Sequence, residues 1–116
     1  MAQTTTTPSS DIETRQSEEH VPLYNVVLLD DNDHSYDYVI EMLQKIFVFS
    51  LQEAFRHAEE VDFQGRTILI TCELPHAEFA RDQIHSYGPD PRMASSKGSM
   101  SAVVEPAGGA GQTSAR

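Results

Sequence analysis

The stretch Tyr24-Asn25-Val26-Val27-Leu28-Leu29-Asp30-Asp31-Asn32-Asp33 decides the fold. A short apolar run with β-branched residues stops abruptly at four acidic or amide side chains, the pattern of a buried strand running into a polar turn. Downstream, Val39, Ile40, Leu43, Ile46 and Phe47 recur at i, i+1, i+4, i+7 and i+8. That spacing marks one face of a helix of about three turns. Ser50-Leu51-Gln52-Glu53 is a capping box, in which the serine hydroxyl and the glutamate carboxylate each satisfy the other residue's amide. It opens a second helix with Leu51, Ala54, Phe55 and Ala58 on its apolar side. Gln64-Gly65 supplies a turn, and residues 67–72 (TILITC) form a second β-branched strand. Pro75 suits the first turn of a third helix. This helix turns Ala77, Ala80, Ile84 and Tyr87 inward and stops at Gly88-Pro89. Residues 89–99 then read as a loop and 100–105 as a short last strand. The expected fold class is α/β of the α+β sandwich kind. Its order is β-α-α-β-α-β, with a small three-stranded, mainly antiparallel sheet and three helices packed on one face.

The flanks contrast with this pattern. Residues 1–21 contain only Ile12 and Val21 as large aliphatics, and residues 106–116 (PAGGAGQTSAR) are rich in Gly and Ala. Neither buries enough apolar surface to offset its conformational entropy, so both are expected to be disordered around one domain at 22–105. The whole chain has 116 residues, with 8 Lys and Arg against 18 Asp and Glu and a formal net charge of -10. Such acidity speaks against nucleic acid, where phosphate neutralisation dominates affinity, and against docking on an anionic membrane. No apolar run approaches the roughly 18–20 residues that span a bilayer. Residues 1–20 have no basic start and no apolar core of a secretory signal, so a cytoplasmic monomer is expected.

No cofactor and no catalysis are expected. The five histidines are dispersed and read as surface residues, and Cys72 reads as a small buried hydrophobe in the second strand. Asp30, Asn32 and His34 echo a calcium loop superficially, without its glycine and terminal glutamate. A Gly-x-Ser-x-Gly elbow and a glycine-rich phosphate loop are both absent from the sequence.

Three fragments of the sequence together resemble the ClpS family, adaptors that hand proteins with destabilising N-terminal residues to the Clp chaperone–protease. They are Val26-Val27-Leu28-Leu29 followed by Asp30-Asp31-Asn32 and then Leu43-Gln44-Lys45-Ile46-Phe47, Val61-Asp62-Phe63-Gln64-Gly65-Arg66, and the last strand from Met100 to Glu105. The resemblance spans 22–105 and implies the same element order. It also implies a cradle for the free N-terminus of a substrate, at Asp30, Asp31, Asn32, His34 and Asp62. A hydrophobic pocket for a bulky first residue falls on Tyr36, Val39, Ala58, Val61 and Met100. A free N-terminus is a cation, and charge-assisted hydrogen bonds to it are about twice as strong as neutral ones. The implied partners are substrate N-termini and the N-terminal domain of a Clp-type AAA+ chaperone, with residues 1–21 matching the family's N-terminal extension.

The chain also departs from the family pattern. The family's first turn amide falls on Asp30, its second turn acid on Asn32, its helix-capping Thr on His34, its rim Met on Tyr36, a lining Met on Ala58 and its amino-binding His on Asp62. Two charged positions that hold the chaperone fall on Pro75 and Ala80. With no strong cap visible at the start of the first helix, Tyr36 is expected to swing outward and leave an open slot; folded inward, it would fill the slot. The competing reading of the acids is a solvated turn with Asx caps. Two other functions compete: a diverged ClpS-like modulator of Clp that does not recognise N-termini, and an interaction domain on the fold of the ribosomal stalk protein's C-terminal domain.

Overall fold

The computed structural model describes residues 21–108. The elements run β1 (Leu23–Leu29), α1 (Tyr36–Phe47), α2 (Leu51–Gln64), β2 (Arg66–Glu73), α3 (Leu74–His85) and β3 (Ala102–Pro106), in the order expected from the sequence. The central strand is β1, antiparallel to β2 on one side and to β3 on the other. The ends expected to be disordered lie, for residues 1–20 and 109–116, outside the described residues. At the near boundary β3 extends to Pro106, and the Ala107 amide donates to the Leu23 carbonyl at 2.9 Å. Ordered chain therefore passes the expected limit at 105.

Val26 and Leu28 of β1 point into the core, while Val27 points to the other face and is buried there by its neighbours in the sheet. The β1–β2 register shifts between Val26, opposite Ile70, and Val27, opposite Ile68. The extra residue, Leu69, forms a bulge, so consecutive residues Leu69 and Ile70 both pack against the core. Helix α3 crosses all three strands, α2 lies against β2, and α1 packs on α2 and α3. The small side chains Ala77 and Ala80 let α3 sit close to the sheet. At its far end, the Ala102 amide donates to His85 Nε2 at 3.0 Å.

Two helical faces differ from the expected ones. In α1 the buried residues are Tyr38, Val39, Met42 and Leu43, with Ile40, Ile46 and Phe47 half-buried at the margin. In α2 the capping box forms as expected, but the buried face is Ala54, Ala58 and Val61. Leu51 remains 63% exposed and Phe55 44%. The short alanines set the distance at which α2 approaches its neighbours, and the larger residues flank that seam. Helix α3 ends at His85, with Tyr87 beyond it rather than on its inner face.

The start of α1 is also capped, contrary to expectation. Ser35 Oγ accepts from the Tyr38 amide at 3.2 Å. Ser35 is itself held by Asp90: its amide and hydroxyl donate to the same carboxylate oxygen at 2.8 and 2.7 Å. Asp90 is 1% exposed, and its other oxygen accepts from the Arg92 amide and guanidinium. Burial alone would raise its pKa. The Ser35 and Arg92 donors outweigh burial and hold it down at about 2.

A carboxyl held below its unfolded value contributes its full stabilisation above the ordinary pKa of 3.8, where it is ionised in both folded and unfolded chains. That contribution is lost as the pH falls through about 2. Asp90→Asn should therefore destabilise the native chain by roughly 2–3 kcal/mol at neutral pH. The gap between the two proteins should narrow as acid titrates Asp90 in the native one. Urea unfolding at pH 7 and at pH 2.5 measures both, and an unchanged neutral-pH stability would remove Asp90 from this role.

Candidate functional site

Three backbone contacts gather the site. The Leu29 amide donates to Ser101 O and the Asp30 amide to Gly65 O, both at 3.0 Å. Gly65 caps α2 with φ of 86°, a conformation glycine adopts without the Cβ clash, and its amide donates back to Val61 O at 2.9 Å. The turn after β1 is thereby set against the end of α2, which carries Asp62.

A cavity of about 410 Å³ opens at this junction. All ten residues singled out in the sequence line it: Asp30, Asp31, Asn32, His34 and Asp62 among its polar groups, Tyr36, Val39, Ala58, Val61 and Met100 among its apolar ones. Ser35 and Met93 complete the lining and were not anticipated. The apolar floor is continuous with the core, with Val39, Ala58, Val61 and Met100 between 1% and 4% exposed. A hollow of this size is within the range of small-ligand sites, which bury apolar groups against a few convergent polar ones.

The polar groups are not equivalent. Asp31 serves the turn itself, since its Oδ1 accepts from the Asp33 amide at 2.9 Å, an Asx turn of the kind the competing reading foresaw. The same carboxylate accepts from His34 Nδ1 at 2.8 and 3.0 Å. His34 Nε2 lies 2.7 Å from the Gly98 carbonyl and 3.2 Å from Ser96 Oγ. A carboxylate and a carbonyl only accept, so the arrangement favours donation from both ring nitrogens, the imidazolium form of His34. Both nitrogens of His34 are engaged within the protein and its side chain is 4% exposed, although the residue lines the cavity. It is a clasp between the first turn and the loop 89–99.

Asp30, Asn32 and Asp62 stand at the exposed rim. Burial raises the Asp30 pKa first; the Asp31 amide opposes this, and the Asp62 and Asp31 carboxylates push it further up. Asp62 accepts from the Tyr36 hydroxyl at 2.8 Å, and that bond drives the phenol up to about 12. Tyr36 neither swings clear of the cavity nor fills it. Its ring lies along the wall, 6.0 Å from that of Phe55, with its hydroxyl tied to the rim and the hollow preserved.

Elsewhere, His57 is not a plain surface residue. It stacks on Phe49 at 5.1 Å and contacts Thr67 Oγ1 at 2.8 Å, and burial lowers its pKa. Cys72 is half-buried against the core, which raises its thiol pKa. A larger concavity of about 780 Å³ lies between α2 and β2. It is a shallow groove open to solvent, where Arg56 and Arg66 stand among Glu59 and Glu60, and its large apolar side chains, Phe63 and Ile68, are exposed rather than buried. The smaller cavity is the better site, because its acids converge over buried aliphatic side chains. No helix among the described residues is long and apolar enough to cross a membrane.

The imidazolium assignment is measurable. Burial opposes the charge, but Asp31 and the Gly98 carbonyl outweigh it and raise the His34 pKa above 6.5. A raised cationic group stabilises the fold fully below its unfolded pKa, and the contribution fades as pH rises through the folded one. NMR titration of the His34 ring should give a midpoint above 6.5, and Asp31→Asn should lower it. A midpoint at or below 6.5 in the native chain would exclude the clasp as drawn.

Comparison with known proteins identifies the family and the fold. Residues 19–91 match the family model described as ATP-dependent Clp protease adaptor protein ClpS. The ATP-dependent Clp protease adapter protein ClpS of Vibrio atlanticus (strain LGP32) is 30% identical over 82 residues, which is 69% of this chain and 77% of that protein. Among solved structures, that of Agrobacterium tumefaciens ClpS2 bound to L-phenylalaninamide superposes with a TM-score of 0.66 at 23% identity. It covers 76% of this chain and 100% of its own. With the family model matched over more than half its length, this chain belongs to the ClpS family of Clp protease adaptors.

Proposed function

We propose that the chain binds the free N-terminus of a substrate protein at the acidic rim, with a bulky hydrophobic first residue in the apolar hollow. It then delivers that substrate to a Clp-type AAA+ chaperone–protease. The observation carrying this reading is the convergence of Asp30, Asn32 and Asp62 on one cavity whose floor is Val39, Ala58, Val61 and Met100. An α-ammonium, charged below its pKa of about 8, suits a rim where two carboxylates, Asp30 and Asp62, crowd one another beside the Asn32 amide. Burying a Leu- or Phe-sized side chain on the floor contributes about 1.5–3 kcal/mol. The related ClpS2 structure holds L-phenylalaninamide, a ligand with both features: a free amino group and an aromatic side chain. Asp31 supports the rim indirectly, through the turn and His34.

The chaperone would dock on the outer side of α3. Of the two family positions expected there, Ala80 is turned to the sheet and buried, so it offers a partner nothing. Phe79, 64% exposed on the same helix, and Leu74 at its start are the apolar groups left for that contact.

Peptides beginning with Phe should bind through a free terminus, and acetylation should weaken them about tenfold to hundredfold, as losing charge-assisted bonds implies. Fluorescence anisotropy with paired free and acetylated peptides reads this out. Equal binding of the pair would defeat the proposal. The Tyr36–Asp62 bond favours the second reading, a Clp modulator that does not recognise N-termini, because the phenol competes for the rim carboxylate. Tyr36→Phe should tighten peptide binding by about fivefold, the equivalent of one released hydrogen bond. Binding that appears only in Tyr36→Phe and is absent from the native chain would establish the modulator instead.

A further inference from the structure

Met93 lines the cavity, yet it lies outside residues 19–91, the stretch that the ClpS model matches. It sits in the loop 89–99, which is fastened on both sides of it. The Met93 amide donates to Asp90 O at 3.2 Å, and the Ser96 amide donates to Met93 O at 3.0 Å. The Asp90 amide donates to Ser96 Oγ at 2.8 Å, closing the turn across its base. Arg92 reaches Glu41 on α1 at 2.6 Å, and the His34 ring holds Gly98. So fastened, the backbone carries Met93 to the cavity wall, which Met100 also lines.

From this placement we infer that Met93 is a specificity-determining residue of the cavity, selecting aromatic over aliphatic first residues. The inference rests on the cavity being the N-terminus site. Ala58 leaves one wall of the hollow short, and a thioether side chain with three rotatable bonds adapts to an irregular gap. Sulfur also attracts the edge of an aromatic ring, which an aliphatic ligand cannot exploit. With Met93 and Met100 both lining the hollow, an aromatic ring would meet two sulfurs, whereas a Leu side chain would meet only apolar bulk.

Peptides beginning with free Phe and free Leu, titrated by anisotropy against the native chain, Met93→Ala and Met93→Leu, test this. The native chain should prefer Phe. Met93→Leu should keep Leu binding and lower Phe binding by roughly threefold to tenfold, because bulk is retained and sulfur is not. Met93→Ala should weaken both peptides, Phe more. An unchanged Phe-to-Leu ratio in Met93→Leu, with the native chain binding, overturns the inference and leaves the N-terminus reading intact. Should Met93→Ala fail to fold, Met93→Leu alone decides. A native chain that binds neither free peptide removes the N-terminus reading, and the role of Met93 with it.

Discussion

The buried Asp90 carboxylate is the constraint on which the site depends. One of its oxygens takes both the amide and the hydroxyl of Ser35, and Ser35 in turn caps the Tyr38 amide. A charge at that depth is tolerated only because four donors surround it; with fewer, it would be protonated or expelled. The arrangement fixes two things at once. It sets where α1 starts, and so where Tyr36 and Val39 stand. It also fastens the loop 89–99, and so where Met93 stands. The two halves of the cavity are 55 residues apart in sequence at this contact. A shift at Asp90 would move both walls.

Charge is distributed unevenly around that frame. The rim is acidic, with Asp30 and Asp62 close enough to raise the pKa of Asp30. Behind it, the His34 ring bridges Asp31 and the Gly98 carbonyl, contacts that favour its protonated form. Protonated, His34 neutralises the acid that serves the structure and leaves the acids of the rim to other partners. A ligand ammonium would meet carboxylates whose mutual repulsion it relieves, which is a better use of charge than an isolated surface pair, worth about 0–1 kcal/mol. The Tyr36 phenol already takes part of this role by donating to Asp62. Its neutral donor is the weaker partner for that carboxylate, so a cation would displace it or share the acid with it.

Most of the fold was legible because its determinants are local. The Ser50–Glu53 box, Pro75 at the start of α3 and the β-branched runs of β1 and β2 each announce themselves within four to eight residues. What escaped is what sequence spacing does not encode. The α2 face was misread because Leu51 and Phe55 outrank Ala54 and Ala58 in hydrophobicity, while close helix packing selects the small side chains. The Leu69 bulge leaves no trace in a strand pattern of this length. The cap of α1 was missed because Ser35 becomes a firm N-cap only through a partner 55 residues away. The ten site residues were named through family resemblance, and proximity alone does not give their roles. His34 and Asp31, adjacent to the rim, turned out to be bound to each other.

The cavity floor belongs to the core. Val39, Ala58, Val61 and Met100 are nearly inaccessible and pack in the same cluster as Leu28, Leu43 and Ile84. A site built this way resembles a core missing one side chain, and an unfilled apolar hollow costs stability in proportion to its volume. Two of its walls limit that cost, and both are adaptable. Tyr36 lies along one with its hydroxyl anchored, and Met93 flanks another on a loop held by hydrogen bonds rather than by packing alone. Val39 and Ala58 cannot yield without disturbing α1 and α2, so any tuning of the hollow must come from the movable walls. The residues left to tune its shape are thus Tyr36 and Met93, whose backbones are held while their side chains line the hollow. Both stand apart from the ClpS pattern: Tyr36 where a Met is expected, and Met93 beyond the matched stretch.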